Sequence, residues 1–148
     1  MEITIRAITR NDYSGVLELW NNELGNKNVT THNISMYYEE MSGDSRYITY
    51  VARVEKQVVG FITSVRSLAV GLDNGFIHIT GLAVKKDWQG NGIGKMLLDY
   101  HEHYAKSVGV TSIILNSGMK RKEAHEFYEK NGFSKDSYCF DKEIDSDL

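Results

Sequence analysis

Apolar and polar residues alternate at the start of the chain. Ile3, Ile5 and Ala7 stand against polar neighbours, a period of two that predicts a strand over residues 2–8. Asp12 has the character of a helix N-cap, and Val16, Leu17, Trp20 and Leu24 recur on one helical face. A polar loop at 25–30 leads to a second helical stripe, Ile34, Tyr37, Tyr38 and Met41. Three β-rich runs follow at 47–54, 58–70 and 76–84, with turns expected at 55–57 and at the Asp-Asn-Gly cluster 73–75. That spacing predicts an antiparallel meander. From Ile93 the period lengthens, and Ile93, Leu97, Tyr100, Tyr104 and Val108 predict one face of a helix that Gly109 ends. A short buried strand at 111–115, a helix at 120–131 carrying Ala124, Phe127 and Tyr128, and a closing strand at 138–144 complete the order. An antiparallel run followed by strand, helix, strand, helix and strand predicts the α/β (α+β) class: a mixed sheet with helices on its faces.

Composition narrows the class. The 148 residues suit one domain, and 41% hydrophobic residues suffice for a packed core. Proline is absent, so 13 glycines supply most of the punctuation. No linker, charge run or repeat divides the chain, and residues 1–148 read as a single domain. Its acidic end (Asp141, Glu143, Asp145, Asp147) is expected to be solvated and residues 145–148 to fray. A net charge of −3 argues against a nucleic-acid coat. The lone Cys139 excludes an intramolecular disulfide and a Cys-based zinc site, which makes a reducing cytoplasm the default. No apolar run has the length of a membrane span and the first ten residues do not form a signal peptide, so no membrane partner is expected.

The chemistry concentrates where a β-branched strand meets a long helix. Gly90, Gly92 and Gly94 lie in that junction. Without Cβ atoms the backbone can curl until successive N–H groups point at one spot, and the helix that follows adds its positive end. The result is an anion cradle, or else a plain glycine-rich turn. A P-loop is ruled out because Met96 follows Gly94-Lys95 and Gln89 stands where the first glycine belongs. A dinucleotide fingerprint from Gly90 would need a small residue where Lys95 stands.

The run Gln89-Gly90-Asn91-Gly92-Ile93-Gly94 resembles the Gln/Arg-x-x-Gly-x-Gly/Ala signature of the GNAT superfamily of acyl-CoA N-acyltransferases. Leu82-Ala83-Val84 sits where that family's cofactor-binding strand ends, and Phe127-Tyr128 followed by Gly132-Phe133 is similar to its second signature. The resemblance covers nearly the whole chain. It implies a twisted, largely antiparallel sheet of six to seven strands with about four helices. It also implies direct transfer of an acetyl group from acetyl-CoA to a primary amine of a small molecule or peptide, with no metal. A non-catalytic acyl-CoA-binding module of the same fold is the alternative, and a homodimer stays open.

The same resemblance implies roles for individual residues. The amides of residues 89–94, with Lys85, Lys86 and Lys95 nearby, would take the CoA phosphates. The strand edge at Leu82, Ala83 and Val84 would pair with pantetheine, with Gly81 easing a bulge and the Leu82 N–H polarising the thioester carbonyl. Asn116 matches a pantetheine contact, with a helix cap as its structural alternative. Tyr128 would give a proton to the departing thiolate, although it also belongs to a core-facing stripe. Arg121 could reach a phosphate or pair with Glu126 or Glu129, and His125 lies one turn from it. His78 stands where the histone-acetylating branch has a glutamate base; an imidazole is competent there, but a half-buried strand histidine is the plainer reading. Glu23 is a weaker candidate base. His101 and His103 are two apart on a helix and point in different directions, which disfavours a metal pair. Cys139 has no activating partner in the sequence. Tyr37, Tyr38 and Met41 read as core residues that could also wall the acceptor site.

Overall fold

The computed structural model describes residues 2–145; residues 146–148, part of the acidic end expected to fray, lie outside them. Two compact stretches, 2–115 and 116–145, are taken in turn.

The first stretch holds a five-stranded sheet in the order β1-β2-β3-β4-β5. β1 (Ile3–Ala7), β2 (Tyr47–Val54), β3 (Gln57–Ala69) and β4 (Leu72–Val84) pair antiparallel, and β5 (Ile113–Leu115) joins parallel to β4 at Ile77, His78 and Ile79. The mixed class expected from the order of elements is present, with five strands among the described residues rather than six or seven. The β3–β4 turn falls at Val70 and Gly71, between the paired Ala69 and Leu72, and not at the 73–75 cluster. That cluster is an irregularity inside β4, with Asn74 at φ 62° and Gly75 at φ 77°. A Cβ on Gly75 would lie 1.9 Å from the Ser67 carbonyl oxygen, so only glycine lets the strands close there.

Helices α1 (Tyr13–Asn22) and α2 (Thr31–Ser42) cover one face of the sheet. Val16, Leu19, Ile34 and Tyr38 pack there with Val51, Val58, Phe61 and Ala83. Asp12 holds the N-cap position of α1, but its side chain makes no cap bond. Its carboxylate is fully buried and instead accepts from Nη1 and Nη2 of Arg6, from Arg53, and from the Thr9 N–H and hydroxyl, at 2.7–3.1 Å. Two guanidinium groups and a backbone amide offset the desolvation that a lone buried carboxylate would suffer.

Helix α3 (Ile93–Ser107) packs on the other face, and Gly60 sets how closely. A Cβ there would lie 3.1 Å from Ile93 and 3.3 Å from Leu97. The buried residues of α3 are Ile93, Leu97, Leu98, His101 and Ala105, so the helix is rotated from the expected face and Tyr100 is exposed. Tyr104 and Val108 of the expected face still pack, partly buried, at the edge of the Ile77 cluster, while the polar side chain taken into the core is His101, whose Nε2 meets the Ser64 hydroxyl at 2.6 Å. Its Nδ1 is buried without a hydrogen bond. Gly109, at φ 72°, follows the helix as the turn pattern expects.

The second stretch contains α4 (Lys122–Lys130) and a segment without regular structure beyond it. The strand expected at 138–144 is absent. Tyr138, Phe140 and Ile144 are 86%, 92% and 78% exposed, and no described strand offers that segment a ladder. Alternation is a local signal, while a strand exists only against a partner's main chain. No helix among the described residues is long and apolar enough to cross a membrane.

Burial without a second hydrogen-bond partner drives the His101 imidazole down to about 4 from the usual 6.5. A histidine depressed on folding contributes full stability above its unfolded value. That contribution is lost as pH falls from about 6.5 towards 4, with a slope of about 1.4 kcal/mol per pH unit. Urea unfolding across that window is expected to show this excess slope, and His101→Gln should flatten it.

Candidate functional site

The site grows from an irregularity in β4. Thr63 of β3 pairs with Gly81 and Ser64 with Ile79, which leaves Thr80 as an extra residue. Its hydroxyl donates to the Thr63 carbonyl at 3.3 Å. The bulge reverses the sense of the strand. Ile77 packs with Ala105 and Val110 on the α3 side, whereas Ala83 packs with the α1–α2 cluster. Gly81 turns towards α1, where a Cβ would lie 2.6 Å from the Trp20 indole.

The bulge also decides which main-chain groups face outward. Lys85 N–H donates to the Val59 carbonyl at 2.8 Å, which makes that pair a hydrogen-bonded one. Alternation along an antiparallel ladder then bonds Ala83 and Gly81 to β3 and turns the N–H and C=O of Leu82 and Val84 away from it. β5 covers β4 only as far as Ile79, so no strand pairs with the outer edge from Leu82 to Val84 among the described residues. Of those outward groups the Val84 carbonyl is engaged, by the Gln89 side-chain amide at 2.9 Å.

The chain then runs through a single 3₁₀ turn, Lys86–Trp88, into the glycine loop. Gly90 and Gly92 have φ of 83° and 79°, with nothing within 4 Å of where their Cβ atoms would be. Gly92 occupies the N-cap of α3, and no side chain caps that end. Asn91 folds its amide back onto the Trp88 carbonyl at 3.0 Å. Open amides at an uncapped helix start, with open space beside Gly90 and Gly92, fit a pyrophosphate.

Neighbouring side chains are less free than the sequence suggests. Ile93 is buried, so only its main chain faces the loop. The Lys95 ammonium pairs with Asp99 at 2.9 Å. Glu23 accepts the Lys86 N–H at 3.1 Å and so holds the loop's entry, a role the sequence alone did not suggest. His78 is half-buried on β4 opposite Val65, on the α1–α2 side of the sheet, and its ring has no hydrogen-bond partner among the described residues.

In the second stretch Asn116 is exposed, and the N-cap of α4 is Arg121, so Asn116 does not cap that helix. The Tyr128 ring lies edge-on between Phe127 and Phe133, at centroid distances of 5.5 and 5.8 Å. Burial pushes its phenol above the usual value, and the nearby Arg121 charge opposes this. His125 Nε2 meets the Gly118 carbonyl at 2.8 Å. Glu129 pairs with Lys135 at 3.2 Å instead of Arg121. Cys139 is exposed. No cluster of three or more His, Cys, Asp and Glu able to hold a metal occurs among the described residues.

The Acetyltransferase (GNAT) family profile matches residues 13–133. The chain belongs to the GNAT family. Over 89 residues it is 38% identical to the uncharacterized N-acetyltransferase YhdJ of Bacillus subtilis (strain 168), covering 55% of this chain and 63% of that protein. Over 88 residues it is 30% identical to an aminoalkylphosphonate N-acetyltransferase of Salmonella typhimurium (strain LT2), covering 60% of this chain and 57% of that protein. The matches therefore span less than two thirds of these curated relatives' length. The solved structure of AAC(6')-Iy in complex with the bisubstrate analog CoA-S-monomethyl-acetylneamine shares the fold at a TM-score of 0.83. That likeness covers 98% of this chain and 99% of the other at 12% identity.

Against the GNAT signature, the structure brings together Leu82, Ala83, Val84 and residues 89–94 as one continuous strand edge and loop. The sequence hinted at the bulge through Gly81 but did not reveal that Thr80 is its extra residue. It also gave no sign that Trp20, Tyr38 and Thr63 stand behind it. The contact at Gly81 is directly testable. Gly81→Ala puts a methyl group against the indole, and overpacking of this kind costs about 1–3 kcal/mol. A lower urea midpoint with an unchanged m-value is the expected result.

Proposed function

We propose that this GNAT protein is an N-acetyltransferase that passes the acetyl group of acetyl-CoA directly to a primary amine in a ternary complex. The observation that carries this reading is the unpaired outer edge of β4 at Leu82 and Val84, continuous with an uncapped glycine loop. Such an edge accepts an amide-bearing arm as an added strand. The amides of Gly90, Asn91, Gly92, Ile93 and Gly94 bind the pyrophosphate, with Lys85 and Lys86 adding positive charge beside them. Acetyl-CoA supplies the activated acyl group. The Leu82 N–H holds the thioester carbonyl and stabilises the negative charge that develops on its oxygen.

Tyr128 serves as the acid. Its raised value keeps the phenol protonated across the neutral range, so the proton is available for the sulfur that leaves. His78 serves as the base, taking a proton from the incoming ammonium group. Asn116 contributes a contact to the pantetheine arm. The names of the Salmonella relative and of the AAC(6')-Iy complex support an amine on a small polar molecule as acceptor.

Two measurements test the assignment. At a hundredfold excess over its dissociation constant, acetyl-CoA should stabilise the parent protein by about 2.7 kcal/mol. Gly92→Asp, which sets a carboxylate in the cradle, should abolish that thermal shift; an undiminished shift in a folded variant would reduce the loop to a turn. Tyr128→Phe should bind acetyl-CoA normally yet lose roughly 10²–10⁴-fold in kcat, read as thiol release with a panel of small amines. Parent-rate turnover under chemistry-limited conditions would remove Tyr128 from the mechanism. Binding without thiol release by the parent across the panel would favour the non-catalytic module.

A further inference from the structure

A chain of hydrogen bonds ties helices α1 and α2 to the bulge. Trp20 Nε1 donates to the Tyr38 hydroxyl at 3.1 Å. That hydroxyl lies 2.9 Å from Thr63 Oγ1, which lies 3.0 Å from Thr49 Oγ1. Tyr38, Thr63 and Thr49 are 4%, 2% and 8% exposed. An indole N–H can only donate, so it fixes the direction of the first bond. Tyr38 accepts from Trp20, and between Tyr38 and Thr63 either hydroxyl can donate. The Trp20 end neither accepts nor releases a proton, so the run cannot serve as a relay. What it fixes is position.

Thr63 is where this chain meets the site. Its side chain is held by Tyr38 and Thr49, its carbonyl accepts from the bulged Thr80, and its ladder partner is Gly81. The Trp20 indole that starts the chain lies against Gly81 itself, where a Cβ would be 2.6 Å away. Both members of this residue pair are thus held from the α1–α2 face: Gly81 by the indole ring and Thr63 by the hydroxyl network. Leu82, next along β4, takes its outward N–H direction from that bulge.

We propose that Trp20, Tyr38 and Thr63 are positioning residues for acyl transfer, which aim the Leu82 N–H by pinning the bulge at Thr80 and Gly81. This rests on the reading of Leu82 as the thioester donor. Tyr38→Phe removes one oxygen, keeps the ring, and cuts the link between indole and Thr63. The expected result is a kcat lower by roughly tenfold with little change in KM for acetyl-CoA.

The deciding readout is the ¹³C resonance of the acetyl carbonyl in bound [1-¹³C]acetyl-CoA. It should move downfield on binding the parent and shift back towards the free value in Tyr38→Phe. A role in stability alone would lower the urea midpoint and leave that resonance in place. An unchanged resonance and kcat in a folded Tyr38→Phe would overturn the proposal. Should Tyr38→Phe not fold, Thr63→Val against Thr63→Ser decides the matter. Valine should reproduce the loss and serine, which keeps the hydroxyl, should restore the parent signal; equal signals in the two would overturn it. Failure of the parent to bind labelled acetyl-CoA would instead count against the functional reading on which the proposal stands.

Discussion

One unpaired residue, Thr80, governs both faces of β4 and its outer edge. On the α3 side of the sheet, Ile77 fills the space beside Ala105 and Val110. Past the bulge the inward residues are Gly81 and Ala83, which lie under α1 and α2. In a regular strand Ala83 would face α3, and Leu82 would spend its main-chain groups on β3. A register slip of one residue exchanges the two sides of a strand. Here that exchange is built in at one point, so that the same strand supports α3 along its first half and leaves an open edge along its second.

The meander, the two N-terminal helices, the long helix after the glycine loop and α4 were legible because each has a local period. β2 falls on the predicted residues, Tyr47–Val54. The structure departs from the local pattern where a distant partner decides. The rotation of α3 depends on Ser64, which is 37 residues from His101 and gives a polar side chain a place in the core. The segment 138–144 alternates as a strand would, yet its described residues find no ladder. Asp12 was recognised by position, but the arginines it serves lie six and 41 residues away. Of the site, the glycines and the end of β4 could be read directly, since a backbone that must bend or stay bare requires particular residue types. Glu23, Trp20 and Tyr38 could not, because nothing in their local sequence marks what they will touch.

The polar groups placed inside the first stretch have different costs and uses. The Asp12 cluster saturates its carboxylate with donors and joins β1, α1 and β2. The hydroxyl chain through Tyr38 satisfies each of its members with neutral partners, and burial keeps that phenol protonated. His101 is only half satisfied. A partly paired group in a low-dielectric setting is the weak point of a core, and this one lies on the inner face of α3, the helix that follows the glycine loop.

The placement of Asp12 bears on the order in which the protein folds. β2, β3 and β4 are joined by hairpins of two residues and can form from near neighbours, whereas Ile3 must meet Val54 across both helices. Closing so long a loop is entropically expensive, and such pairings limit the rate of folding. Arg6 can grip Asp12 early, from six residues away, but the Arg53 bond requires β2 to be in place already. The buried carboxylate therefore acts as a latch that closes only when the first strand has found the edge of a sheet formed without it.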